Sequence, residues 1–305
     1  MTDNIYDVII VGGGPAGLSA GLYAARAAKR TLIFEDQIPG GQLAQTAKVE
    51  NYPGSAEDTG ADIAFRMMEQ AMDFNAVLKQ EKVVDLNLDG DIKEVVSNKA
   101  TYKTRAIIFA AGASPRRLGL DHEVEFTGKG ISYCSTCDGA FFSGLPVYLV
   151  GGGDSAYDEG LFLADIAKSV TIIYRGPKPR ASVALQDRAA KKDNIKVILN
   201  TNVTKLLGDN SLKGFVIKNS ESGKEETIEG DIGLFIFAGH IPNTDLLKDK
   251  ISLDKGYIPT DEGMRTEIKG LYAAGDIRVK QVRQVATAVS DGVIAATTAI
   301  RDMDN

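Results

Sequence analysis

The stretch IYDVIIVGGGPAGLSAGLYAARAAKRTLIFE, residues 5–35, decides the fold. Residues 5–11 are apolar nearly throughout and predict a short buried strand. Gly12, Gly14 and Gly17 follow in GxGxxG register, residues 18–28 predict an Ala-rich helix, and residues 31–34 predict a second strand ending at Glu35. In such a strand–turn–helix unit the first glycine turns the chain, the second lets the backbone approach a pyrophosphate, and the third lets helix pack close on strand. The helix N-terminus offers free N–H groups to the phosphates. Glu35 stands roughly twenty residues on, where an acid bonds a ribose hydroxyl and would repel a 2′-phosphate. The site therefore suits FAD or NAD rather than NADP. The bland alternative, a glycine-rich turn without function, leaves the second strand and its terminal acid unexplained.

The same grammar returns further along. Residues 147–150 predict a strand, GGGDSA places Gly151, Gly153 and Ala156 in GxGxxA register, residues 161–167 continue a helix, and residues 170–174 make the next strand. Two fingerprints in one chain imply two dinucleotides or two similar domains. The copies differ at their ends. Where the first closes on Glu35, the second closes on Tyr174 and Arg175, with Lys178 and Arg180 on the same loop. Cations there suit a 2′-phosphate, and arginine brings a bidentate fork, so NADPH is expected. A solvated basic loop beside Arg188, Lys191 and Lys192 is the competing reading.

Between the copies lies YCSTCDG, residues 133–139, with Cys134 and Cys137 the only cysteines among 305 residues. Two residues between sulfurs allow a tight disulfide that opens and closes with little backbone movement. Asp138 follows at once and can exchange a proton with a departing thiolate. A zinc site needs about four ligands, and the chain adds only His122 and His240, so no metal is expected. A structural staple usually closes a longer loop in a secreted protein. That reading and chance spacing stay open for a lone CxxC.

The length favours two domains. A composition of 44% hydrophobic and 25% charged residues is that of a soluble globular chain. A net charge of −6 gives nucleic acid and anionic membranes no purchase. MTDNIYD lacks the pattern of a secretory signal and no apolar run reaches membrane-span length, so a cytoplasmic location is expected. GGQLAQ (40–45) and VENYPG (49–54) are turn-rich and read either as plain connections, outside regular structure, or as places where Gln42 and Asn51 meet a ring's polar edge. Residues 63–74 predict a helix, 82–88 a strand, and 106–110 a buried strand leading into AAGASP. Residues 195–199, 214–218 and 227–229 predict a meander, and 234–238 a buried strand. GHIPNT (239–244) reads as a return linker, in which His240 is a brace more readily than a base. LYAAGD (271–276) ends a strand at Asp276, which can bond a ribityl or ribose hydroxyl. A helix follows from about 284 to 300, its N-terminus suited to a flavin's pyrimidine edge.

Taken together, GGGPAGLSAGLYAARA, GGQL, VENYPG, CSTCDG, GGGDSA, GHIPNT and AAGD resemble, in this order and over essentially the whole chain, the low-molecular-weight bacterial thioredoxin reductases. The resemblance implies an α/β fold of two Rossmann-like dinucleotide-binding domains, the second inserted into the first. Residues 1–113 and 245–305 would bind FAD, and residues 114–244 would bind NADPH and carry the CxxC. By matching position, Gly12, Gly14, Ala16, Gly17, Glu35, Gln42, Asn51, Asp276, Arg283, Gln284 and Val285 would contact FAD. Gly153, Ser155, Ala156, Glu159, Arg175 and Arg180 would contact the nicotinamide cofactor. The family pattern also implies a homodimer that passes electrons from NADPH through FAD and the disulfide to thioredoxin. In it Cys137 lies next to the flavin, Cys134 attacks thioredoxin, and Asp138 manages the thiol protons. Disulfide and nicotinamide both need the flavin yet share the middle domain, so hinges near residues 113–117 and 239–244 would present them in turn. One segment departs from the pattern: the family's HRRxxxR stands here as YRGPKPR, which keeps NADH or a reduced electron-carrier protein open as donor. A flavin redox sensor without turnover is the reading from another class.

Overall fold

A computed structural model describes residues 5–46, 49, 51–55 and 58–304; Glu50, within VENYPG, lies outside them. The chain forms two compact units, one of residues 1–114 and 241–305, the other of residues 115–240.

The first unit begins with β1 (Ile5–Val11), α1 (Pro15–Arg26), β2 (Thr31–Glu35), α2 (Gly60–Asp73), β3 (Val77–Gln80), β4 (Val83–Asn87), β5 (Lys93–Ser97) and β6 (Thr101–Phe109). A short strand, β7 (Ala113–Pro115), leads out of it. The sheet runs β3-β2-β1-β6-β5-β4. Strands β3, β2, β1 and β6 are parallel, while β5 and β4 are antiparallel. Val8 and Ile10 face α1, whereas Ile9 and Val11 pack on Leu247 and Ile258 on the other side. A strand covered on both faces must be apolar at every position, which is why β1 reads as a continuous run.

Helix α1 starts earlier than its Ala-rich stretch because Gly14 caps it and Pro15 occupies the first turn, where a missing N–H costs nothing. Helix α2 opens on a capping box, with the Asp62 N–H donating to Thr59 Oγ1 at 3.1 Å and the Asp62 carboxylate returning to the Thr59 N–H. GGQLAQ, expected outside regular structure, forms a 3-10 turn over Gly41–Gln45.

The second unit contains β8 (Ile131–Ser132), α3 (Ser135–Asp138), β9 (Pro146–Val150), α4 (Asp154–Ala164), β10 (Ser169–Ile173), α5 (Val183–Ala190) and β11 (Ile195–Ile198). Then come β12 (Thr201–Leu207), β13 (Gly214–Asn219), β14 (Glu225–Glu229) and β15 (Gly233–Ile236). Its main sheet, β11-β10-β9-β15-β8, is parallel throughout. The antiparallel sheet is β12-β13-β14. Residues 195–199 therefore belong to the parallel sheet and not to the meander expected for them; β12 takes that place.

The return segment contributes β16 (His240–Pro242), which pairs with β7. Back in the first unit, β17 (Leu271–Ala273) adds to β6 in parallel, and α6 (Val285–Asp304) packs along α1.

Candidate functional site

In the first unit the fingerprint turn is built from close backbone approaches. Gly12 sits at φ 108°, and a Cβ there would lie 2.4 Å from the Ala110 carbonyl oxygen. At Gly17 a Cβ would lie 1.8 Å from the carbonyl oxygen of Gly12, so helix and turn meet backbone to backbone. Gly14, by contrast, has nothing within 4 Å of where its Cβ would be, and its position caps α1. Glu35 closes the turn: Oε2 accepts from the Gly13 N–H at 2.8 Å and Oε1 from the Gln37 N–H at 2.9 Å.

Gln42 donates through Nε2 to the Ala113 carbonyl. Asn51 Nδ2 donates to Gln284 Oε1 at 3.2 Å, bringing together two residues far apart in sequence. Val285 packs against Leu43, Val49, Ile63 and Ala64. Asp276 lies in the 3-10 turn Gly275–Ile277, and its Oδ1 is buried with no hydrogen-bond partner among the described residues. Burial pushes this carboxyl up, with Lys280 and Arg283 opposing. Arg283 donates to the Asp276 carbonyl at 3.3 Å and stacks its guanidinium 4.3 Å over the Tyr257 ring. Ala16 is buried beside the same turn, since a Cβ on Gly275 would meet its Cβ at 2.9 Å.

Sequence reasoning missed Asp291 in this unit. Its carboxylate accepts from the Gly275 N–H at 3.0 Å, Lys280 Nζ at 2.8 Å and Arg278 Nη1 at 3.1 Å. It thereby fixes the turn that presents Asp276. A buried acid in the otherwise small and apolar face of α6 was the available signal. Open space at Gly14, an acid bound to the turn, and an orphaned carboxyl oxygen at Asp276 together fit a nucleotide with phosphates and hydroxyls.

The second unit repeats the turn with a different closure. Gly153 has nothing within 4 Å of its would-be Cβ, and Ala156 is buried. The Gly152 carbonyl accepts from the N–H groups of Arg180 at 2.6 Å and Ala181 at 3.0 Å, so the following loop folds back over the turn. Where Glu35 meets Gly13, Tyr174 meets Gly152: a Cβ on Gly152 would be 2.2 Å from the ring, and one on Gly176 would be 2.7 Å from it. Ser155, Arg175, Lys178 and Arg180 are exposed. His240 lies exposed in β16.

Cys134 and Cys137 are joined in a disulfide, their Cα atoms 5.3 Å apart, with Cys134 capping α3 and both residues half-buried. Ser132 bridges the turn to its acid. Its Oγ accepts from the Cys134 N–H at 3.1 Å and donates to Asp138 Oδ2 at 2.6 Å. Burial pushes the Asp138 carboxyl up, with the Ser132 bond opposing. Beside the turn, the Tyr133 hydroxyl donates to Glu123 Oε1 at 2.7 Å. The Glu159 Oε2 is buried and has no hydrogen-bond partner among the described residues.

Residues 6–292 match the family model described as pyridine nucleotide-disulphide oxidoreductase. The chain is 47% identical over 306 residues to a thioredoxin reductase of Peptoclostridium acidaminophilum, covering 97% of this chain and 96% of that one. It is 44% identical over 299 residues to a thioredoxin reductase of Listeria monocytogenes, covering 97% and 93%. Among solved structures, a thioredoxin reductase from Streptococcus pyogenes superposes with a TM-score of 0.91 at 39% identity, covering 99% of each chain.

Proposed function

Because the chain belongs to the pyridine nucleotide-disulphide oxidoreductase family, we propose that it is a thioredoxin-disulfide reductase, moving electrons from NADPH through FAD and the Cys134–Cys137 disulfide to oxidised thioredoxin. One observation carries the reading: a half-buried disulfide sits beside a half-buried carboxyl that a serine ties to the same turn. A disulfide that merely braced the fold would need no such acid.

In this reading Gly12, Gly14, Ala16, Gly17 and Glu35 hold the adenosine and pyrophosphate of FAD. Gln42, Asn51, Asp276, Arg283, Gln284 and Val285 hold its flavin half, with Asp276 Oδ1 waiting on a hydroxyl donor. Bound flavin supplies a carrier that takes hydride from a reduced nicotinamide and gives an electron pair to a disulfide. The protein's own part is proton management and exchange. Asp138, whose carboxyl burial pushes up, gives a proton to the thiolate that leaves as the disulfide opens. Cys134 then attacks the substrate disulfide as thiolate, and Cys137 resolves the mixed disulfide, closing the internal pair again. Thioredoxin sits near about −270 mV, so the internal pair must be about as reducing.

Gly153, Ser155, Ala156 and Glu159 belong to the NADPH site, with Arg175 and Arg180 as its 2′-phosphate donors. Tyr174 favours a second reading of the donor alone: a ring lies where the first copy has its ribose acid, which leaves NADH or a reduced carrier protein as the source. The family resemblance supports a homodimer as the working form. Among the described residues no helix is long and apolar enough to cross a membrane. The test is steady-state oxidation of NADPH with and without thioredoxin. Turnover that continues until thioredoxin is reduced supports the proposal. Oxidation that stops after one stoichiometric burst makes the protein a sensor instead.

A further inference from the structure

The described residues leave three buried side-chain oxygens or nitrogens without a hydrogen-bond partner: Asp276 Oδ1, Ser135 Oγ and Glu159 Oε2. The last two belong together. Ser135 stands between the cysteines and is 0% exposed, and its turn, α3, packs against α4, which carries Glu159. The packing is tight: a Cβ on Gly139, next after Asp138, would lie 3.0 Å from Leu163 and 3.4 Å from Phe162. Buried polar atoms are normally paired, and an unpaired set at rest points to a partner that arises in another state.

We propose that Glu159 is a positioning residue for the two sulfurs: its carboxyl, carried on the helix that packs against the turn bearing both cysteines, couples its own protonation to the ionisation of the thiols. An electron pair entering the disulfide breaks the S–S bond and leaves two thiolates. Two protons convert them to thiols, and reoxidation by a substrate disulfide re-forms the S–S bond, releases both protons and passes the electron pair on. Asp138 accounts for one proton-handling group. Glu159 is a second, partly buried carboxyl on the helix packed against that turn. The groups acting on Glu159 are few. Burial raises its carboxyl and Asp158, on the same helix, adds to that, while nearby Ser135 opposes them. Of the other elements packed on α4, β9 carries Tyr148, which stacks edge-on against Phe215, and β11 and α5 carry the exposed Lys196, Asp187 and Arg188.

The proposal rests on the disulfide being the redox group of the proposed function, and its test separates the two. The flavin-loaded protein is reduced with dithiothreitol, freed of reductant without air, and alkylated with iodoacetamide across a pH series, each cysteine being read by mass spectrometry. Glu159→Gln should lower the pH of half-maximal alkylation of at least one cysteine by about half a unit or more, roughly a threefold rise in thiolate below the midpoint. Glu159→Asp should restore the wild-type curve. Ser135→Ala removes one group holding Glu159 ionised, and should shift the midpoint in the same direction by less. It gives the same reading if Glu159→Gln does not fold. Curves for both variants that overlay the wild type overturn the proposal, whereas a disulfide that dithiothreitol cannot open overturns the proposed function itself.

Discussion

Asp276→Asn should move two properties of the protein in opposite directions. In the flavin-free protein the Asp276 carboxyl is buried, one oxygen is unpartnered, and its ionised form is disfavoured. An unsatisfied buried group costs roughly 1–3 kcal/mol, and Lys280 and Arg283 recover part of it. Removing the charge should therefore stabilise the flavin-free protein by about 1 kcal/mol, which raises Tm by roughly 2–4 °C for a unit of this size. The sign has a pH signature. A carboxyl whose folded pKa is raised binds its proton more tightly when folded, so stability falls as pH climbs from the ordinary 3.8 through the raised value. The Asn variant lacks that decline. Flavin binding should go the other way. A hydrogen bond from a hydroxyl to an ionised carboxylate contributes about 1.5–3 kcal/mol, so its loss should weaken Kd for FAD roughly 10- to 150-fold. Thermal unfolding of the flavin-free protein and a fluorescence titration with FAD read the two effects separately. A flavin-free variant less stable than wild type, with unchanged FAD affinity, would exclude this role for Asp276.

Cys137→Ser should keep bound yellow flavin by absorbance while thioredoxin reduction falls to background. Asp138→Asn should slow disulfide opening by about 10²–10³-fold; the wild-type rate should decline as pH rises through the raised Asp138 value, and stopped-flow profiles of the variant should lack that limb. Arg175→Ala and Arg180→Ala should each raise KM for NADPH by about tenfold and leave KM for NADH unchanged in coupled assays, because only the phosphorylated ribose uses the guanidinium. Thr59→Ala breaks the capping box of α2. It should cost about 1 kcal/mol in thermal unfolding, with kcat intact.

Both fingerprints were legible because their physics is local. Strand, glycine turn and helix follow within about thirty residues, and the close contacts at Gly12 and Gly17 demand glycine whatever the tertiary setting. Helix ends were less legible: α1 starts at Pro15 because a proline suits the first turn, although the Ala-rich pattern begins only afterwards. The β-rich part of the second unit misled for a physical reason. Strand β12 carries a register shift between Val203 and Lys205, which breaks the alternation that marks a strand. Residues 195–198, whose pattern gives no sign of a parallel partner, then seemed the better start of the meander. Likewise β6 begins with TYKTR, polar residues that hide the first half of the strand. At the site, the cysteines and Asp138 were visible from adjacency alone. Asp291 bonded to Gly275 and Tyr174 lying on Gly152 were not, since each joins residues that only the fold brings together.

On this reading one chain holds a flavin and a disulfide in electronic communication. Anaerobic titration of the flavin-loaded protein with dithionite, followed by flavin absorbance and by counting free thiols, tests it most directly. Full reduction should consume two electron pairs per chain, one appearing as bleached flavin and one as two new thiols at Cys134 and Cys137. Uptake of a single pair, with the flavin bleached and no thiols formed, would contradict it.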